Sequence, residues 1–304
     1  MVALMDLLFS PTSKVLNRWF ETDVLKAAIA ADATVGSMAS INSVGSGYVL
    51  LHHVMGQTDG ERNVWSHVEG GMGSVSLAIS RAARELGVHI LTNAEITQLL
   101  MRNDVVVTGV LLADGTKVGG FSGSVECNTA NASVMQYLVP RELLSDDFVR
   151  SIEFSDYTSG TTKINVAIDR LPHFSSYGSK KDEVGPHHTA TIRIGCESME
   201  CIAAACQDAC NGVPSRRPIM EMTIPSTLDE TMSSPGKHVV GLFTQYTPYK
   251  PTDGSWEDPS YRELYAERCF SLIDEYAPGF QVIGHWIQHA DSPRSRAGNR
   301  SYRR

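Results

Sequence analysis

The chain has 304 residues, 42% of them apolar and 20% charged, which is enough apolar surface to build a core and excludes a largely disordered protein. With 26 Lys and Arg against 34 Asp and Glu the net charge is -8, which argues against a nucleic-acid partner. No run of about 18 apolar residues occurs, so no transmembrane helix is expected, and at about 150 residues per domain the length suggests two domains.

The first twenty residues lack a basic segment ahead of their apolar run, and Asp6 interrupts it, so they do not read as a signal or transit peptide. Ser10-Pro11 reads as a helix start, with Leu16, Trp19 and Phe20 as its apolar stripe. Asp23 caps a second helix reaching about Ala31, and the Gly/Ser-rich stretch from Val35 to Gly47 reads as a loop. Tyr48 to His53 fits a short helix or a strand equally well. A glycine run, Gly70 to Gly73, leads into a helix from Ser74 to Leu86 with Val75, Ile79, Ala82 and Leu86 at helical spacing and Gly87 as its stop. Strands are expected at Val88–Leu91, Glu95–Leu100, Val105–Leu112, Thr116–Val118 and Ser124–Cys127, with a hairpin turn at Ala113-Asp114-Gly115.

From Pro140 the texture changes. Pro140 to Ile152 reads as helical. Lys163 to Asp169 alternates, with Ile164, Val166 and Ile168 on one face. Further strands are expected at Thr189–Ile194, Ile219–Ile224 and His238–Tyr246. Ser198 to Asn211 reads as a helix closed by Gly212, and Asp258-Pro259 opens a long helix stopped by Pro278-Gly279. Strands and helices interleave without βαβ alternation, which argues for α+β in this half. From His285 to Arg304 the chain holds five Arg and one Asp, and reads as a basic, disordered tail.

Few constellations carry chemistry on their own. The Gly70–Gly73 run lacks the G-x-G-x-x-G spacing of a dinucleotide fingerprint and reads best as a tight turn. Cys196, Cys201, Cys206 and Cys210 invite a metal reading, but only Cys206 and Cys210 share a helix face, so apolar packing is expected and no metal is assigned. The adjacent pairs His52-His53 and His187-His188 are expected to diverge rather than share an ion. Tyr246, Tyr249, Trp256 and Tyr261 read as packing residues, with a pocket as the other use. No side chain stands out as a catalytic acid, base or nucleophile.

The words GGMG at Gly70–Gly73, ELGVHILTNAEITQLL, GVLLADGTKV and the CNTAN turn resemble one segment of the phytoene-dehydrogenase-like flavoproteins, within the wider FAD-dependent amine-oxidase group. The later words TKINVAIDRLPHF, PSRRPIMEMTIPSTLD and HVVGLFTQYTPY resemble a mitochondrial branch of it, and the likeness runs from about Met5 to Phe280. The resemblance implies α/β with α+β: an incomplete two-lobed flavoprotein, pairing part of an FAD/NAD(P)-binding lobe with a mixed-sheet substrate lobe. Residues 65–135 are then the middle of the FAD-binding lobe, and 1–64 with 136–284 the substrate lobe, followed by the tail 285–304. By carry-over Ile96 offers its backbone to the adenine end of FAD, and Asn128 and Thr129 turn the chain back toward the FAD lobe. The implied partners are FAD, a small apolar or amine-type substrate and a protein of the mitochondrial matrix. The resemblance begins downstream of the family's G-x-G-x-x-G unit and fades near Gln281. The alternatives to an FAD-dependent oxidoreductase are therefore a silent form acting through a partner, or a non-functional product.

Overall fold

The computed structural model describes residues 2–58, 60–62, 66–103, 106–119, 138–156, 159–177 and 183–286. The chain divides into two compact units, with boundaries at Leu77 and Thr158. Unit 1 comprises the described residues on either side of unit 2 in sequence, and unit 2 the residues between those boundaries.

Unit 1 opens with four helices: α1 (Val2–Phe9), α2 (Thr12–Trp19), α3 (Asp23–Asp32) and α4 (Ser46–Val54). Pro11 is the N-cap of α2, one position later than the expected Ser10 cap. Of the stripe Leu16, Trp19 and Phe20, only Leu16 is buried. Phe20 lies past the end of α2 in extended backbone, which breaks the helical spacing. Tyr48 to His53 is helical, which settles the choice that periodicity left open. A short hairpin, β1 (Gln57–Thr58) with β2 (Glu61–Arg62), follows.

The centre of unit 1 is a five-stranded sheet. Its strands are β6 (Thr161–Ile168), β7 (Ile192–Ile194), β8 (Ile219–Thr223), β9 (His238–Gln245) and β10 (Gly284–Trp286), in the order β10-β6-β9-β8-β7. The α+β organisation stands as expected; within it each described pairing is antiparallel, where a mixed sheet was expected. Alternation along β6 turns Ile164, Val166 and Ile168 to one face, together with Val240 and Leu242 of β9 and Met220 and Met222 of β8. That face packs on α8 (Pro259–Asp274), whose Tyr265, Cys269, Leu272 and Ile273 recur at helical spacing and are buried. The helix starts as its sequence dictates. Asp258 accepts the Ser260 N–H at 2.9 Å, and Pro259 occupies the first turn. A short helix, α9 (Phe280–Ile283), continues the same core.

The second apolar cluster of unit 1 joins the N-terminal helices to α7 (Met199–Cys210). Ala27 and Ala30 of α3 pack with Ala205, Cys206 and Ala209 of α7, with Ile219 and Tyr246 at the sheet end. Ser198 caps α7 by accepting the Cys201 N–H at 3.1 Å, and Gly212, at φ +85°, releases the chain from it.

Unit 2 is built on a three-stranded antiparallel sheet, β3 (Ile96–Arg102), β4 (Val106–Leu112) and β5 (Lys117–Gly119). Its turn matches the sequence: Asp114 accepts the Thr116 N–H at 2.8 Å and Gly115 sits at φ +85°. Leu99, Val110 and Leu138 form its small core. After a 3₁₀ turn at Arg141–Leu143, α6 (Asp146–Glu153) begins at the Ser145 cap, so the expected helix from Pro140 is broken in two.

In sequence the boundary at Leu77 falls within α5 (Gly73–Glu85), the helix that periodicity identified, yet no residue of it is buried. Ile79 is 65% exposed and Leu86, just past its end, 86%. Val88–Leu91 was expected as a strand; it is assigned to no strand here and Leu91 is 67% exposed. A strand needs a neighbour to pair with, and apolar periodicity does not supply one. The expected strand Ser124–Cys127 and the tail beyond Trp286 lie outside the described residues. Truncating Leu242 to Ala should cost about 2–5 kcal/mol in urea denaturation, whereas Ile79→Ala should stay within about 0.5 kcal/mol.

Candidate functional site

The face of the five-stranded sheet opposite α8 carries a different set of residues. In register across β6, β9 and β8 lie three rows: Thr161, Gln245 and Ile219; then Lys163, Phe243 and Glu221; then Asn165, Gly241 and Thr223. Arg193 of β7 extends the middle row by pairing with Glu221.

At one end of this face a small, shallow cleft is lined by Ala31, Thr34, Val35, Ile219, Glu221, Phe243 and Gln245. Gln245 fixes its wall, because its Oε1 accepts the Gly36 N–H at 2.8 Å and its Nε2 donates to the Thr34 carbonyl at 2.7 Å. Arg193 donates to the Ala28 carbonyl and to Asp32, and stands 3.5 Å from Glu221 Oε1. Burial, and then the neighbouring Asp32, push the Glu221 carboxyl above its ordinary pKa; Arg193, His53 and Lys163 pull the other way. Burial likewise lowers the Lys163 amine, against the attraction of Glu221.

Lys163 reaches across the sheet over Gly241. A Cβ built on Gly241 would stand 2.9 Å from Lys163 Nζ and 3.3 Å from Thr223 Oγ1, so glycine leaves the room in which these two groups converge. The backbones of Lys163 and Asn165 belong to the β6–β9 ladder, and among the described residues no hydrogen bond engages their side chains. Alternation along Lys163–Asp169 already separates these two from Ile164 and Val166; their neighbours from β8 and β9 are remote in sequence.

Of the residues carried over by resemblance, Ile96 opens β3 in unit 2, opposite Leu112, and is 41% exposed. Asn128 and Thr129 lie outside the described residues. Gly70 and Gly71 both have positive φ, and the Gly70 N–H donates to Asp229 at 2.8 Å. A carboxylate already fills that turn, which suits a tight turn and does not fit a phosphate.

Cys196 and Cys206 are buried packing residues, as expected, whereas Cys201 is half-buried and Cys210 exposed. Burial pushes the Cys196 thiol up to about 11 and the Cys206 thiol to about 12, and among the described residues no three His, Cys, Asp or Glu side chains are placed to hold a metal ion. His187 and His188 do not diverge as expected: their ring centroids lie 3.8 Å apart with the planes tilted by 43°, because they lie in a turn and not on a regular element. His188 accepts the Gly185 N–H at 3.0 Å and hydrogen-bonds the Pro172 carbonyl at 2.9 Å. Tyr246 is buried with its hydroxyl on the Ala39 carbonyl, and Trp256 packs on Tyr261, so the expected packing role holds for these aromatics, while Tyr249 is exposed.

Comparison with solved structures places this fold among proteins with a related α+β architecture. A crystal structure of an oxidoreductase from Methanosarcina mazei matches with a TM-score of 0.55 at 16% identity, over 92% of this chain and 55% of that one. The PF1083 protein of Pyrococcus furiosus matches with a TM-score of 0.54 at 13% identity, over 94% of this chain and 59% of that one. In sequence the chain is 42% identical over 285 residues to pyridine nucleotide-disulfide oxidoreductase domain-containing protein 2 of Rattus norvegicus, covering 93% of this chain and 49% of that protein. The chain thus spans about half the length of the curated relatives it matches. No family model matches it.

The shift at Glu221 has a measurable consequence. A carboxyl whose pKa is raised on folding binds protons more tightly folded than unfolded, so stability falls as pH rises from its unfolded value through its folded value. Glu221→Gln should remove that loss and flatten the stability profile above about pH 4.3, the unperturbed Glu value. Denaturation midpoints at pH 5 and pH 8 check this; an unchanged profile would show that Glu221 is not strained.

Proposed function

We propose that the chain is part of an FAD-dependent oxidoreductase of phytoene-dehydrogenase-like type, and that the open face of the five-stranded sheet in unit 1 is the wall against which its substrate lies. One observation carries this reading: the sheet commits one face to an apolar core and presents Lys163, Phe243, Glu221 and Arg193 on the other, beside a cleft. The oxidoreductase name of the rat relative and the description of the archaeal structure support the reaction class.

In this reading residues 65–135 are the middle of the FAD-binding lobe, with Ile96, Asn128 and Thr129 at the cofactor, and 1–64 with 136–284 form the substrate lobe. FAD, when bound, supplies the acceptor for a hydride from a small apolar or amine-type substrate. The residues of this chain do the rest. Phe243 offers an apolar surface, Lys163 and Glu221 fix polar groups at either side of it, and Arg193 holds Glu221 in place. Among the described residues the fit is to the substrate side of such a site, since the one glycine turn ahead of a long helix is taken by Asp229. Action in the mitochondrial matrix belongs to the same proposal.

A second reading, association with a protein partner, is favoured by α5, which exposes Val75, Leu77 and Ile79 at once. The two readings separate on one titration. Added FAD should lose fluorescence on mixing with the purified chain, and Lys163→Gln, a change on the substrate wall and not at the cofactor, should leave that quenching within about twofold. Unquenched FAD would overturn the flavin reading and leave the partner reading standing.

A further inference from the structure

We infer that the sheet surface around Gly241, where Lys163, Thr223 and Asn165 lie, is a binding site for a carboxylate group, so that the substrate class of this sheet face is an organic acid. The inference rests on the reading of the open face as the substrate wall, and deepens it.

Two donors converge at this point, the Lys163 ammonium and the Thr223 hydroxyl, and Asn165 lies two positions along β6 on the same face. Lys163 Nζ and Thr223 Oγ1 lie 2.9 and 3.3 Å from where a Gly241 Cβ would be, so both crowd the space that glycine vacates. Asn165 stands across Gly241 from Thr223 in the same row. The Thr223 hydroxyl reaches only the Gly241 carbonyl, at the long distance of 3.5 Å, and is readily turned outward. An ammonium whose N–H groups have no protein acceptor is free to make a charge-assisted bond to an oxyanion. The row beside it supplies Phe243 as an apolar flank for the body of an organic acid.

The charges facing Lys163 decide which ion fits. Glu221 is its acidic neighbour, and Glu221 is held 3.5 Å from Arg193 beside Asp32 and His53. Arg193 is in turn engaged by Asp32 and the Ala28 carbonyl. Asp32 and Glu221 share the one Arg193, and Glu221 also attracts Lys163 without a hydrogen bond to it, so the ammonium N–H groups stay available to a ligand in competition with Glu221. A cationic ligand would have to displace that arrangement.

Competitive acetylation read by peptide mass spectrometry tests the site in the whole chain without added flavin. Excess benzoate should slow acetylation of Lys163 several-fold while leaving Lys117 and Lys250 unchanged. Thr223→Val and Asn165→Ala should abolish the protection with an unchanged melting midpoint, and Glu221→Gln should strengthen it by removing the competing carboxylate. Benzamide isolates the charge, benzylamine tests a cationic ligand and inorganic phosphate tests a different oxyanion. Protection by benzylamine or phosphate in place of benzoate, or equal protection by benzamide, would overturn the inference, as would no protection at all. Loss of this result with FAD quenching intact removes the carboxylate site alone. Protection in a chain that does not take up FAD retains the site and removes the flavin reading.

Discussion

The ladder between Thr161–Ile168 and His238–Gln245 is the constraint on which the rest of unit 1 depends. Eight successive pairs lock β6 to β9, from Thr161 opposite Gln245 to Ile168 opposite His238. Because side chains alternate, that register assigns every residue to a face, and a slip by one position would exchange them. With the register as it stands, Ile164, Val166, Val240 and Leu242 meet α8, and Lys163, Asn165, Gly241 and Phe243 face the other way. The same backbone bonds therefore fix both the core and the candidate site. The core residues gain by leaving water, at about 25 cal/mol per Å² of apolar surface. The polar row cannot gain in that way, and its half-buried charges are held by one another and by α3 through Asp32 and Ala28.

What could be read from sequence follows from how local each cause is. The alternation of Ile164, Val166 and Ile168, the Ser198 and Asp258 caps and the Asp114-Gly115 turn all depend on residues within a few positions of one another, and each appears where expected. The stripe of α2 failed because Phe20 falls beyond the helix end, where periodicity no longer applies. Helix α5 formed as its spacing dictates but buried nothing, since a hydrophobic stripe names a face and not its partner. The expected strand at Val88–Leu91 shows the same gap between pattern and pairing.

The candidate site was less legible. Lys163 and Asn165 sit on the polar face of an alternating strand, which the sequence makes plain, but a lysine on an exposed face is ordinary. What distinguishes this one is Gly241 beneath it, Thr223 beyond that and Glu221 on the next row, all brought in by two further strands. No spacing in the chain encodes that meeting. The resemblance directed attention to Ile96, Asn128 and Thr129 instead, and so to a different part of the chain from the charged row of unit 1.

The central claim is that one sheet keeps folding and function on opposite faces, and substitution at Gly241 tests it most directly. An alanine there meets the far end of the flexible Lys163 side chain, which can swing away at little cost, but it fills the space the amine now uses. The measurement is the chemical denaturation midpoint of Gly241→Ala set beside the acetylation rate of its Lys163. The account predicts a midpoint close to that of the parent chain together with a Lys163 reactivity returned to that of an exposed lysine. A midpoint that collapses as for a core substitution, with the Lys163 rate unchanged, would contradict it.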